Sequence, residues 1–286
     1  MACEDKTEEM HFVSLFEETL ERNRGHISDD DIYISLMNII KSFIGKIEMK
    51  INNYQTPEMA WAYFFRFSPI SAALARAQVL EAVRSSEEFR SFFKRHSLEV
   101  LSVGSGPGSD LIGLCSALHD NSDFQKLRLT LVDKNEHWQP LFEAMIQVTR
   151  CGDYGNASRL FKVKEINSSF ICCDVLNTAT YCGALGNADI VWMKGLLSIL
   201  ENDEERYLAI KAINSSMAVG SLLVVIDSPT YLKFEDFQED LNLLYKAEEK
   251  VYNFFEPSKT FLNVGLSRST KQIITVLSKI RRDKNN

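Results

Sequence analysis

The chain has 286 residues, 45% of them apolar, and 32 basic against 39 acidic side chains give a formal net charge of -7. That length and apolar content suit one large folded domain, or one domain with an appendage. No apolar run approaches the roughly 20 residues that span a bilayer, Cys3-Glu4-Asp5-Lys6 does not open a signal peptide, and the acidic balance disfavours a broad nucleic-acid footprint, so a cytoplasmic protein without membrane contact is expected.

Residues 1 to about 95 read as a helical region of three or four helices. Apolar spacing of three and four runs through Met10, Val13, Phe16 and Leu20, then through Ile32, Leu36, Ile39 and Phe43. Ser28-Asp29-Asp30-Asp31 supplies capping oxygens for the second helix, and Thr56-Pro57-Glu58 starts the third. The third carries Trp61, Tyr63, Phe64, Phe65, Arg66 and Phe67 before Pro69, which is expected to bend or restart it. Such an aromatic stretch reads either as a helix buried against the main sheet or as a lid on the substrate side, with Tyr63 and Arg66 as polar tips.

From residue 98 strands and helices alternate, the pattern of a parallel sheet with crossover helices. Strands are predicted near 98–103, 128–132, 168–173, 189–193, 220–226, 250–255 and 271–277. Helices are predicted near 109–119, 136–150, 203–216 and 234–246, with a loop or partial helix over 151–167. The linker from Glu256 to Thr270 contains Pro257, Asn263 and Gly265 and little helical periodicity, so the last two strands are expected to be antiparallel neighbours. The fold class that follows is α/β: a seven-stranded, mostly parallel sheet with an antiparallel last strand, helices on both faces and a helical N-terminal region.

The most informative stretch is Val103-Gly104-Ser105-Gly106-Pro107-Gly108-Ser109-Asp110-Leu111, preceded by Leu98 to Ser102. It reads as a strand ending in a glycine turn that opens into a helix, the junction where backbone N–H groups face a nucleotide-like ligand. The second strand closes on Asp133, where a carboxylate can accept from both ribose hydroxyls. The third closes on Asp174, which can accept from an adenine amine, and the fourth and fifth run into Lys194 and Asp227. Each of these acids also reads as a cap or turn residue, and Lys194 also reads as a solvated loop lysine.

Taken in order, these features resemble the class I S-adenosylmethionine-dependent methyltransferases. Val100 to Gly108 looks like their first motif, Asp133 matches the ribose acid, Asp174 the adenine-contacting acid, and Asp189 to Leu197 the fourth motif. The resemblance covers about residues 97 to 280 and implies S-adenosyl-L-methionine as cofactor. It implies a cofactor-binding set of Gly104, Ser105, Gly106, Pro107, Gly108, Asp133, Lys134, Asp174, Val175 and Lys194, in a Rossmann-like domain over 96–286. Ser102 and Lys134 depart from the family pattern, which favours an acid and an apolar residue there; His137 and Trp138 are candidate ring contacts in compensation. Glycines spaced G-x-G-x-G set the chain apart from nicotinamide-dependent proteins with G-x-G-x-x-G.

Methyl transfer is in-line attack on a sulfonium methyl, for which Lys194, Asp227 and Tyr63 are the candidate positioning groups. The acceptor is unidentified, with a small molecule or protein ahead of RNA because of the acidic charge. A non-catalytic sensor or scaffold that binds the same cofactor is the alternative. Cys3, Cys115, Cys151, Cys172, Cys173 and Cys182 form no C-x-x-C pair and the five histidines no ligand spacing, so no metal is expected. The cysteines, Cys172 and Cys173 among them, are expected to be mostly buried and inert. Arg281, Arg282 and Lys284 form a short basic tail.

Overall fold

The protein is described from a computed structural model, over residues 2–44, 56–256 and 266–281. Most of the expected linker 257–265, and Arg282 and Lys284 of the basic tail, lie outside the described residues, as does the side chain of Cys3.

Among the described residues four helices come first: α1 (Ala2–Asn23), α2 (Asp29–Ile44), α3 (Pro57–Ser85) and α4 (Glu87–Phe92). Local chemistry sets their starts. Ser28 and Asp31 form a reciprocal cap in which the Asp31 N–H donates to Ser28 Oγ (3.1 Å) and the Ser28 N–H to Asp31 Oδ2 (3.2 Å). The Met59 N–H donates to Thr56 Oγ1 with Pro57 as first helical residue.

Helix α3 runs through Pro69 as one element, so the proline does not restart it. Proline removes one backbone bond and crowds the preceding turn. Here both flanks are held by packing, since Phe64, Phe65, Phe67, Ile70, Ala72 and Ala73 are all buried.

The alternating half comprises β1 (Ser97–Val103), α5 (Ser109–Leu118), β2 (Lys126–Asp133), α6 (Trp138–Cys151), α7 (Gly155–Val163) and β3 (Glu165–Cys172). It continues with α8 (Cys182–Asn187), β4 (Ile190–Lys194), α9 (Asp203–Ser216), β5 (Leu222–Asp227), β6 (Leu241–Lys246), β7 (Tyr252–Glu256), β8 (Leu266–Thr270) and β9 (Ile273–Lys279). The main sheet has seven strands in the order β3-β2-β1-β4-β5-β9-β6. Strand β9 runs antiparallel to both of its neighbours, β5 and β6, and the other pairs are parallel. Right-handed crossovers then place α5, α6 and α7 on one face and α8 and α9 on the other.

Two expectations are corrected. Residues 234–246 are not a helix: a short 3-10 turn at Glu235–Phe237 precedes β6. The spacing of Phe234, Phe237, Leu241 and Leu244 is helical, but β9 offers a hydrogen-bonding edge that 241–246 takes up. The strand at 252–256 pairs not with β9 but with β8, as a separate two-stranded ribbon. Helix α7 is also more regular than expected, because its N-terminus is capped from afar. The Asn156 N–H donates to Oε1 of buried Glu8 on α1 at 3.0 Å, and the Ser116 hydroxyl donates to the same oxygen.

Helix α3 lies on α5, and α1 lies against α6 and α7. The α3–α5 approach is close enough that a Cβ at Gly113 would meet the Ala72 carbonyl oxygen at 2.1 Å, and Ser109 Oγ donates to Ser68 Oγ at 2.6 Å. Gly113→Ala is therefore expected to destabilise by roughly 1–3 kcal/mol through overpacking, outweighing the gain of about 1 kcal/mol in helix propensity. Urea unfolding reads this; a more stable variant would mean that α3 does not sit at this distance from α5.

Candidate functional site

The strand order reverses between β1 and β4, where helices leave to opposite faces and a crevice opens at the carboxyl edge. The sheet thus brings together the ends of β1, β2, β3, β4 and β5, carrying the glycine loop, Asp133, Asp174, Lys194 and Asp227.

Gly104, Gly106 and Gly108 all have positive φ, of 65°, 53° and 71°, but for different ends. A Cβ at Gly104 would strike the Leu196 side chain, and one at Gly108 would strike Leu131 and Phe142. Those two glycines let the loop pack onto its own core. A Cβ at Gly106 would meet nothing within 4 Å. Gly106 is thus the member of the loop that borders open space.

Asp133 holds that loop. Its Oδ2 accepts from the Gly106 N–H (2.8 Å) and its Oδ1 from the Asn135 N–H (3.0 Å). Burial pushes its carboxyl above the usual range, and those two hydrogen bonds and Lys134 oppose the shift. A carboxylate has about four acceptor positions, so each oxygen keeps capacity after its backbone bond. Ser105 is buried within the turn, its N–H donating to the Val132 carbonyl at 3.2 Å, and Pro107 follows Gly106 in the same loop.

Asp174 is exposed just beyond β3 and accepts from the Leu176 N–H at 2.9 Å. Val175 is half-buried, and its carbonyl accepts from the Tyr181 hydroxyl. Lys134 is exposed, His137 half-buried and Trp138 buried. Tyr63 faces this side from α3, its ring 5.5 Å from that of Trp138 and 4.7 Å from that of Phe67. The aromatic segment of α3 therefore packs on α1, where the Phe64 ring lies 5.2 Å from that of Phe16, and reaches the β2 end of the crevice through Tyr63.

At the β4 and β5 ends, Asp227 is fully buried; its Oδ1 accepts from the Ser228 N–H (2.7 Å) and its Oδ2 from the Ser198 N–H (3.2 Å). Lys194 is half-buried and its charge acts on two carboxyls, Asp227 and Asp110. Gln272, in the turn before β9, comes beside Gly195, held by Gln78 of α3, whose Oε1 accepts from the Ile274 N–H at 2.9 Å. Asp189 stands at the other edge of the sheet, accepting from the Glu99 N–H.

Asp110, with no candidate role in the sequence, is buried in the first turn of α5 and accepts from Trp192 Nε1 at 2.5 Å. Its signal was an acid opening the helix after a glycine loop; its partner is 82 residues away. The cysteines correct another expectation. Cys115 is buried, its thiol pushed up to about 12, whereas Cys151, Cys172 and Cys182 are exposed and Cys173 is half-buried. Cys172 is the last residue of β3, which is an edge strand of the main sheet among the described residues.

This fold, with its loop, acid-ended strands and reversed β9, defines a class I methyltransferase architecture. A family model described as "Putative SAM-dependent methyltransferase" matches residues 35–252, and the chain belongs to that family. Its cofactor is S-adenosyl-L-methionine. Comparison with curated proteins gave no match. Similar solved structures include a SAM-dependent methyltransferase from Methanosarcina mazei, 12% identical over 66% of this chain and 95% of that one, TM-score 0.44. N-methyltransferase NodS from Bradyrhizobium japonicum WM9 is 13% identical over 74% and 98%, TM-score 0.41. An rRNA methylase from Streptococcus thermophilus is 12% identical over 68% and 93%, TM-score 0.40. No helix among the described residues is long and apolar enough to cross a membrane.

The residues present fit the cofactor: open space beside Gly106 admits a ligand against bare backbone, and Asp133 retains acceptor capacity for a diol. Burial raises the Asp110 carboxyl, against the opposing effects of Lys194 and Trp192. A carboxyl with a native pKa above its unfolded value, near 3.9, binds more protons when folded, so stability falls as pH rises through that window. Asp110→Asn keeps an acceptor for Trp192 and removes the ionisation. Relative to the unmodified protein, the variant is expected to gain stability progressively as pH rises from about 4, measured by urea unfolding across pH. A pH-independent difference would show that Asp110 ionises without cost.

Proposed function

We propose that this methyltransferase acts on a small molecule or a protein side chain in preference to RNA, and that the accepting atom arrives with its own lone pair, as an amine or thiolate. The observation that carries the second point is Asp227: it has no exposed surface and both its oxygens accept backbone N–H bonds. It holds the turn after β5 and does not take a proton from the acceptor. Alcohols and carbon acids, which need a general base, fit this arrangement poorly. The net charge of -7 supports the preference against RNA.

S-adenosylmethionine supplies a sulfonium-bound methyl whose thioether leaves without protonation. In this reading Gly104 to Gly108 take the methionine end, Asp133 the ribose and Asp174 with Val175 the adenine, while Lys134 lies alongside. Lys194 and Tyr63 position the reactants from the β4 end and from α3, with Asp227 supporting Lys194 electrostatically. Holding two reactants in attack geometry supplies several kcal/mol without covalent help.

The buried state of Asp227 also favours the second reading, a non-catalytic sensor or scaffold, and turnover separates the two. Labelled methyl from the cofactor is expected to enter the small-molecule or protein fraction of a cell extract; incorporation into RNA would reverse the acceptor preference, and none in any fraction would support the sensor. Calorimetry is expected to show binding of S-adenosylhomocysteine and not of NAD or NADP. Asp133→Ala should weaken that binding by about 1.5–3 kcal/mol, the scale of hydrogen bonds to a charged group. Gly106→Arg should abolish it while leaving a folded protein, because the side chain enters open space at a backbone cost of about 1–2 kcal/mol. Unchanged affinity in either variant removes that residue from the cofactor site.

A further inference from the structure

The connection from β5 to β6 joins two strands that run the same way with β9 between them, and such crossovers are usually made by a helix. Here residues 228–240 contain only the 3-10 turns Pro229–Tyr231 and Glu235–Phe237. The thin cover leaves a cavity of about 370 Å³ against the sheet, within the range of small-molecule sites. It lies over β9 and β6, three to four strand spacings from β1, or roughly 14–19 Å, and so is separate from the glycine loop.

Cross-strand register gives the cavity two unlike ends. Leu243 pairs with Leu277, and with Leu241 they line one end, roofed by Leu232 and Phe234. Lys246 pairs with Thr275, and both line the other end. Thr275 is 2% exposed and its hydroxyl has no hydrogen-bond partner among the described residues. A buried hydroxyl left unpaired carries a penalty that a bound polar group relieves. Lys246 is exposed at the rim and forms no salt bridge among the described residues, while Glu235 and Gln238 line the cavity from the covering segment. Leu243 is 54% exposed, an apolar side chain awaiting cover.

We propose that this cavity is a second ligand site, for a small amphipathic carboxylate. The carboxylate accepts from the Thr275 hydroxyl and the Lys246 ammonium, and the apolar body lies along Leu241, Leu243 and Leu277. Glu235 disfavours anions held on the covering side and so selects for a head group seated at the Lys246 end.

Decanoate, kept below its micellar concentration, is the probe, titrated calorimetrically into the full chain. One site is expected. Lys246→Met, which removes an exposed ion pair, should weaken it about two- to five-fold, and Thr275→Val, which removes a buried hydrogen bond to a charged group, about ten-fold or more; both are conservative in size. Decanol should bind more weakly than decanoate, and Gln238→Trp, at the exposed rim, should block entry. Circular dichroism checks that each variant is folded. No binding, equal binding of decanol, or binding unchanged by both Lys246→Met and Thr275→Val overturns the proposal. Competition by S-adenosylhomocysteine together with loss in Asp133→Ala would place the acid in the cofactor crevice and also overturn it. So would sedimentation showing that a second copy of the chain, closing over β6, excludes decanoate.

Discussion

The hydrogen bond from the Gly106 N–H to Asp133 ties the turn after β1 to the end of β2, and the crevice depends on it. Three consecutive alternate glycines with positive φ would be a loose segment by themselves, since glycine has the largest backbone freedom to lose. The bond joins the loop to a strand end that is already held by ladder pairing with β1 and β3. The Val132 carbonyl adds to this by accepting from the Gly104 N–H at 2.9 Å. The carboxylate that organises the loop is thereby also presented, at fixed height, to whatever lies beside Gly106. Its cost is desolvation, which raises its pKa and which the backbone N–H groups partly offset.

The N-terminal helices are integrated with this edge. Helix α3 packs on α5 at the Ala72–Gly113 approach, links to its first turn through Ser68 and Ser109, and through Gln78 receives the first residues of β9. Helix α1 caps α7 with Glu8. One continuous apolar core runs through both halves of the chain. The position of Tyr63 is therefore set by the same packing that sets α5, and motion of α3 away from the crevice would have to break buried contacts.

Lys194 acts electrostatically on two buried acids, one that accepts from Trp192 and one that accepts from two backbone N–H groups. Both carboxyls are pushed up by burial, and the ammonium opposes both shifts. A cation held this way contributes a fixed field at the carboxyl edge, of the kind that is effective where water is excluded.

Much of this was legible in the sequence, because it depends on short-range pattern. The glycine turn, the acid ending β2, the acid just beyond β3, and the helix at 203–216 follow from backbone stereochemistry and from strands that end where polar residues begin. The reversed last strand was also legible, though its neighbours were not. What only the tertiary structure decided rests on partners far apart in the chain. Residues 241–246 carry helical spacing yet become strand, because β9 supplies an edge whose hydrogen bonds outweigh weak local propensity. Glu8 caps α7 from 148 residues away, Pro69 is tolerated because packing buries its flanks, and Cys172 is exposed at the end of a strand that is an edge of the main sheet among the described residues. Local sequence specifies what a segment can be; which backbone groups and apolar faces find partners is settled only when distant segments meet.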